Sequence, residues 1–132
     1  MVPRLLLDTH VLLRWLGERK RLSREQVQVL ESAVRRGEPA ALSAVSLIEI
    51  ATLVSHEKLR LPLVEFFDDL QANPLLRVLP ITFEIASEVA SLGRSLRDPA
   101  DRAIVATARV HRLRLVTSDQ RIIESKLVPV VG

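Results

Sequence analysis

Leu5-Leu6-Leu7-Asp8-Thr9-His10 is the stretch from which the fold can be read. Arg4 to Asp8 reads as a short strand, because three consecutive leucines do not alternate with polar residues and a strand without alternation is covered on both faces. Thr9 is placed to cap the helix that follows, about His10 to Leu16, which Gly17 stops. Ser23-Arg24-Glu25-Gln26 then has the spacing of a capping box, opening a second helix with Val27, Leu30 and Val34 on one apolar face. Gly37 and Pro39 end that helix. Ala40 to Leu42 is expected as a second strand, leading through Ser43 into a helix from about Val45 to His56.

The second half repeats the alternation. Leu63 to Leu70 is amphipathic after Pro62, and Arg77 to Leu79 reads as a third strand. Thr82 caps a helix to about Ser91, and Asp98-Pro99-Ala100-Asp101 is a helix start with proline in the first position, running to about His111. Leu113 to Thr117 and Leu127 to Val131 are two further β-rich runs. Strands alternating with helices imply an α/β class with parallel strands between helical layers. No repeat, low-complexity tract or linker divides the 132 residues, so 1–132 is expected to be one domain.

Composition narrows the chemistry. With 48% hydrophobic and 27% charged residues the chain can bury a core. The absence of cysteine excludes disulfides, thiolate nucleophiles, Cys-ligated zinc and iron-sulfur clusters. No apolar run approaches a signal-peptide core or a membrane span, and the chain reads as cytoplasmic with no membrane partner. Three phenylalanines, one tryptophan and no tyrosine give little material for base-stacking platforms. The formal charge of +3 is carried mostly by arginine, whose planar fork suits phosphate. Walker A, GxGxxG, GxSxG and HExxH patterns are absent.

In an open α/β sheet, ligands bind beyond the carboxyl ends of the strands, so residues leaving the strands are candidates for function. Asp8 leaves the first strand and Asp119 follows the Leu113 to Val116 run; each could equally be a helix or turn cap. Glu49 is the only charge between Ser43 and His56, on a helix whose apolar residues surround it and which should therefore be buried. It needs a buried partner or a polar pocket, and a structural ion pair would serve. Asp101 heads the stripe Ile104, Val105, Ala108 and points to the core edge. Asp98 has Arg102 four residues on and is explained as a cap in an (i, i+4) pair.

If the strands are parallel, Asp8, Glu49, Asp101 and Asp119 share one edge. Two ionised carboxylates within about 5 Å repel by roughly 3 kcal/mol at an effective dielectric near 20, so such a cluster binds a cation or stays partly protonated. Oxygen ligands without Cys or paired His select Mg²⁺ or Mn²⁺ over Zn²⁺, and a hydrated divalent ion suits phosphodiester hydrolysis. With those four acids set aside, twelve acids face nineteen basic residues over the remaining surface, a balance that suits a polyanion.

The ordered motifs Leu-Leu-Leu-Asp8-Thr9-His10, Ser43-Ala-Val-Ser46-Leu-Ile-Glu49-Ile, Asp98-Pro-Ala-Asp101-Arg102 and Leu-Val-Thr117-Ser118-Asp119 resemble the PIN-domain family, specifically its VapC-type toxins. The resemblance spans nearly the whole chain. It implies a three-layer α/β/α fold with a five-stranded parallel sheet, a metal-dependent endoribonuclease acting on RNA, a homodimer, and a cognate antitoxin whose tail covers the active-site groove. The family's acidic site maps onto Asp8, Glu49, Asp101 and Asp119, with Mg²⁺ or Mn²⁺ as the metal and Thr9 and Thr117 as hydroxyl neighbours. Arg102 has the reach for a phosphate, and its pair with Asp98 is the competing use. His10 could donate to Asp8 or simply pack; Ser43 and Ser46 are better explained as caps. Two other functions stay open: a non-catalytic module binding protein or RNA, and aspartyl-phosphate transfer, which the missing Asp-x-Asp start disfavours.

Overall fold

The computed structural model describes all 132 residues. Strands β1 (Leu5–Leu7), β2 (Ala40–Ser43), β3 (Leu76–Leu79), β4 (Arg114–Val116) and β5 (Val130–Val131) form one sheet in the order β3-β2-β1-β4-β5. Every pairing is parallel. The helices are α1 (Thr9–Leu16), α2 (Arg24–Arg35), α3 (Ala44–Ser55), α4 (Leu63–Ala72), α5 (Phe83–Ala90), α6 (Pro99–His111) and α7 (Gln120–Ser125). The expected α/β class with a five-stranded parallel sheet is the architecture observed.

The three leucines of β1 explain its place at the centre. Leu5 and Leu7 turn to the face covered by α1, α2 and α4, among Val11, Leu12, Leu30 and Leu70. Leu6 turns to the other face, among Ile85, Ile104, Leu115 and Ile122 from α5, α6, β4 and α7. Each leucine is at least 95% buried, because a strand between two helical layers has no wet side. β1 pairs with β2 through Leu6 opposite Ala41 and with β4 through Leu6 opposite Leu115. The chain steps outward from β1 to β2 and β3, then returns to the opposite flank for β4. The change of direction leaves a notch beyond the carboxyl end of β1.

Local chemistry sets the helix ends. Ser23 accepts from the Gln26 backbone while the Gln26 side chain accepts from the Ser23 backbone, completing the expected capping box. Gly37 closes α2 in the left-handed region at φ 66°. The apolar face expected on α2 is rotated: Gln26, Leu30 and Ala33 are buried while Val34 is 46% exposed. Gln26 goes inside because its amide reaches Ser118 and the Val131 carbonyl, tying α2 to the ends of β4 and β5. Full burial of α3 is also corrected. Only Ser46 and Ile50 of that helix are buried and Ile48 is 67% exposed, since α3 packs on α1 and α6 along one side. The last strand begins at Val130 instead of Leu127, because Pro129 contributes only its carbonyl, which accepts from Leu115.

Leu6 is fully buried between strands and helices that have no slack to fill a void. Leu6→Ala should therefore lower unfolding stability by about 2–5 kcal/mol in a urea titration, whereas Val64→Ala, at a 70% exposed position, should change it by less than about 0.5 kcal/mol.

Candidate active site

The notch beyond β1 is floored by Asp8, which is 4% exposed. Its Oδ1 accepts from the Thr9 backbone N–H at 2.8 Å and its Oδ2 from the Thr117 hydroxyl at 2.7 Å. Asp8, and not Thr9, is thus the N-cap of α1, and the cap and site roles belong to one carboxylate. The Thr9 hydroxyl is used elsewhere: it stands 2.7 Å from Ser46 Oγ and 2.5 Å from Glu49 Oε1. Glu49 consequently has a hydroxyl for its buried partner, and no ion pair. Ser43 caps α3 as expected, but Ser46 faces Thr9.

His10 contributes a second constraint. Its Nε2 accepts from the Ser118 backbone N–H at 2.9 Å, so the ring proton sits on Nδ1, which is 3.4 Å from Asp8 Oδ2. Burial pulls the imidazole below its ordinary pKa, partly offset by the charge of Asp8, which favours the neutral ring that this pattern requires. His10 therefore orients Asp8 and links it to the turn after β4.

Asp119 begins α7 as its N-cap, accepting from the Arg121 backbone at 2.9 Å. The Arg121 guanidinium folds back on the same carboxylate, with Nη2 3.2 Å from Asp119 Oδ2 and 3.9 Å from Asp101 Oδ2. Burial would push the Asp119 carboxyl up, but the side-chain and backbone hydrogen bonds from Arg121 outweigh it and hold it below the usual range. Asp101, 8% exposed in the first turn of α6, is pushed up to about 7 by burial and then by the charges of Asp98, Asp8, Asp119 and Glu49. Glu49 is likewise raised, chiefly by burial, with Asp8 and Asp98 adding to it against the Thr9 bond.

These mutual influences place all four sequence-predicted acids in one neighbourhood. They are neighbours and not a finished coordination shell: no three acidic or imidazole groups surround a common point at ligand distance. The donor set nevertheless fits a hard divalent ion. It is all oxygen, it resists full ionisation without a cation, and Mg²⁺ commonly takes one or two carboxylates and completes its shell with water. Thr117 also bonds the Asp119 backbone N–H, so one hydroxyl fixes the relation between Asp8 and Asp119.

Two residues depart from expectation. Arg102 makes no ion pair with Asp98; it donates to the carbonyls of Val89, Gly93 and Leu96, clamping the segment between α5 and α6. Three of the five guanidinium N–H donors are thus committed to backbone carbonyls, a use that the sequence reading did not foresee. Asp98 caps α6 through Ala100 and Asp101, as read from the sequence, but its charge also acts on Glu49 and Asp101, so it is a fifth member of the acidic group. Arg121 carried no signal that separates it from the other arginines; only its place two residues after a strand-end aspartate marks it. His56 and His111 stand apart from the cluster, both exposed. The roomy apolar cleft bordered by Trp15, Leu30, Glu38 and Leu76 contains none of the four acids.

An all-parallel α/β sheet with carboxylates gathered where its strand order reverses defines an α/β protein with an acidic site at the carboxyl edge of its sheet. The family model for the PIN domain matches residues 5–126, and the chain belongs to that family. It is 38% identical over 120 residues to "Ribonuclease VapC22" of Mycobacterium tuberculosis (strain ATCC 25618 / H37Rv), covering 89% of this chain and 88% of that one. Among solved structures it resembles FitAcB from Neisseria gonorrhoeae, with a TM-score of 0.71, 27% identity and coverage of 97% and 96% of the two chains. VapBC2 from Rickettsia felis, bound to a fragment of promoter DNA, shares the fold at a TM-score of 0.73 and 16% identity over 99% and 98%.

Two outcomes follow. Folding raises the Asp101 pKa from 3.8 to about 7, so between those values the folded chain holds a proton that the unfolded chain has released, and stability falls as pH rises. His10, whose pKa is lowered, acts with the opposite sign below about pH 6.5, so the check is a comparison: without added metal, Asp101→Asn should gain melting temperature relative to the unmodified chain between pH 5 and pH 8, and parallel profiles would contradict the assignment. Arg102→Met should cost about 2 kcal/mol, the scale of charge-assisted hydrogen bonds lost, with faster amide exchange confined to 91–98 at first.

Proposed function

We propose that this chain is a Mg²⁺- or Mn²⁺-dependent endoribonuclease that hydrolyses RNA phosphodiester bonds and is the toxin of a toxin-antitoxin pair. The observation that carries this reading is the gathering of Asp8, Glu49, Asp101 and Asp119 at the carboxyl edge of the sheet, in a PIN-family chain 38% identical to a protein named as a ribonuclease. No helix is long and apolar enough to cross a membrane.

Asp8 and Asp101 would hold the metal, with Glu49 and Asp119 completing the site directly or through water. The ion supplies a polarised water and a positive charge beside the scissile phosphate. The chain's part is positional. Asp8 has both oxygens fixed, by Thr9 and by Thr117 with His10, so it presents its remaining lone pairs in one direction. Thr9 engages Glu49 Oε1 and leaves Oε2 to orient water or take its proton; burial raises this carboxyl above its ordinary pKa, which makes it a better proton acceptor once ionised.

A groove lined by Leu13, Arg14, Arg21, Leu59 and Phe66 opens beside His10 and offers both cationic and apolar surface to an RNA strand or an antitoxin tail. Exposed Ile48 on α3 and Phe83 at the head of α5 provide apolar material for the homodimer. A second reading, a non-catalytic module that binds RNA or protein, is favoured by one observation: no three ligands converge on a point.

Cleavage separates the two. The purified chain incubated with total RNA should generate new ends with Mg²⁺ or Mn²⁺ and none with chelator, and Asp8→Asn or Asp101→Asn should lower the rate by at least about a hundredfold with the fold retained by circular dichroism. Undiminished cleavage in both variants would refute the assignment, and absence of cleavage in the unmodified chain would favour the module.

A further inference from the structure

Arg121 and Arg102 use the same side chain in opposite ways. Arg102 is bound by three backbone carbonyls, those of Val89, Gly93 and Leu96. The Arg121 guanidinium touches only carboxylates. It donates to Asp119 through Nε at 3.4 Å and Nη2 at 3.2 Å, and Nη2 also stands 3.9 Å from Asp101. The side chain is 74% exposed and has no other hydrogen-bond partner, while its neighbour Ile122 is fully buried and anchors the backbone of α7.

Of all the lysines and arginines, Arg121 alone makes ion pairs with the four acids of the site. Those pairs bridge Asp101 from the head of α6 to Asp119 from the head of α7, the two acids least tied by other side chains. Asp8 is held by Thr117 and His10, and Glu49 by Thr9. The guanidinium thus supplies positive charge to the half of the cluster that lacks another partner. A divalent ion using the same carboxylates carries twice that charge at shorter range, and both cations cannot occupy the Asp101–Asp119 gap together.

We infer that Arg121 is a tethered competitor of the metal: its guanidinium bridges Asp101 and Asp119 in the metal-free protein and must swing away when the divalent ion binds. Exposure makes the exchange feasible, since no packing is lost when the side chain leaves. The inference rests on the metal-site reading and adds that the chain lowers its own metal affinity.

Calorimetric titration of the full chain with Mn²⁺ at low salt tests it in four forms: unmodified, Arg121→Gln, Arg121→Lys and Asp101→Asn. Removing two exposed ion pairs should tighten Mn²⁺ binding about three- to tenfold in Arg121→Gln, with Arg121→Lys between it and the unmodified chain. In parallel, the ¹⁵N resonance of Arg121 Nε should move toward the free-arginine position as Mg²⁺ is added. Equal or weaker Mn²⁺ binding by Arg121→Gln, or an Arg121 resonance indifferent to Mg²⁺, would overturn the competitor role. If Asp101→Asn weakens binding while Arg121→Gln leaves it unchanged, the competitor role alone falls. If Mn²⁺ binding is absent, or indifferent to Asp101→Asn, the metal site falls with it.

Discussion

Repulsion among carboxylates confined to the end of β1 is the constraint around which this molecule is arranged. Asp8 cannot move, because β1 is the central strand and its leucines are locked between both helical layers. Glu49 from within α3, Asp98 and Asp101 from the head of α6, and Asp119 from the head of α7 are then brought near it. The fold answers the resulting charge in several ways at once: hydroxyl donors on Asp8 and Glu49, a neutral imidazole, a proton retained on Asp101 to about pH 7, and an arginine between Asp101 and Asp119. The carboxylates so compensated are the ones assigned to the metal in the proposed function.

The same residues serve stability and the proposed site. Asp8, Asp98 and Asp119 are all N-caps, so each satisfies orphan N–H groups at the start of α1, α6 or α7 while its charge acts on Asp101. Parallel strands make this double use natural: β1, β2 and β4 each lead at this edge into a helix start, and helix starts favour anions. A choice between cap and functional acid, which looks exclusive along the sequence, is not exclusive in the fold.

Arginine shows how little residue type alone decides. Arg102 clamps a loop, Arg19 lies 3.7 Å over the Trp15 ring, Arg4 and Arg36 neutralise the buried Glu38, and Arg121 enters the acidic notch. The excess of arginine therefore divides between internal tasks and surface charge, and a formal charge of +3 understates how unevenly it is distributed.

What could be read along the chain is what depends on neighbours within about four residues. The unalternating leucines of β1, the Ser23–Gln26 capping box, the Asp98-Pro99 helix start and the Asp119 cap are local, and each stands where the sequence placed it. The four acids were legible as a set because parallel topology sends every strand end to one edge. Contacts between distant positions were not: Thr9 with Glu49, forty residues apart, Arg102 with the carbonyls behind it, and Arg121 between two acids. Nor could an almost wholly apolar α3 announce that Ile48 faces outward, since its pattern offers no polar side to mark the surface. Short-range hydrogen bonding and periodicity are written in order along a sequence, whereas the partner of a charged side chain is chosen by packing, which exists only once the layers have closed.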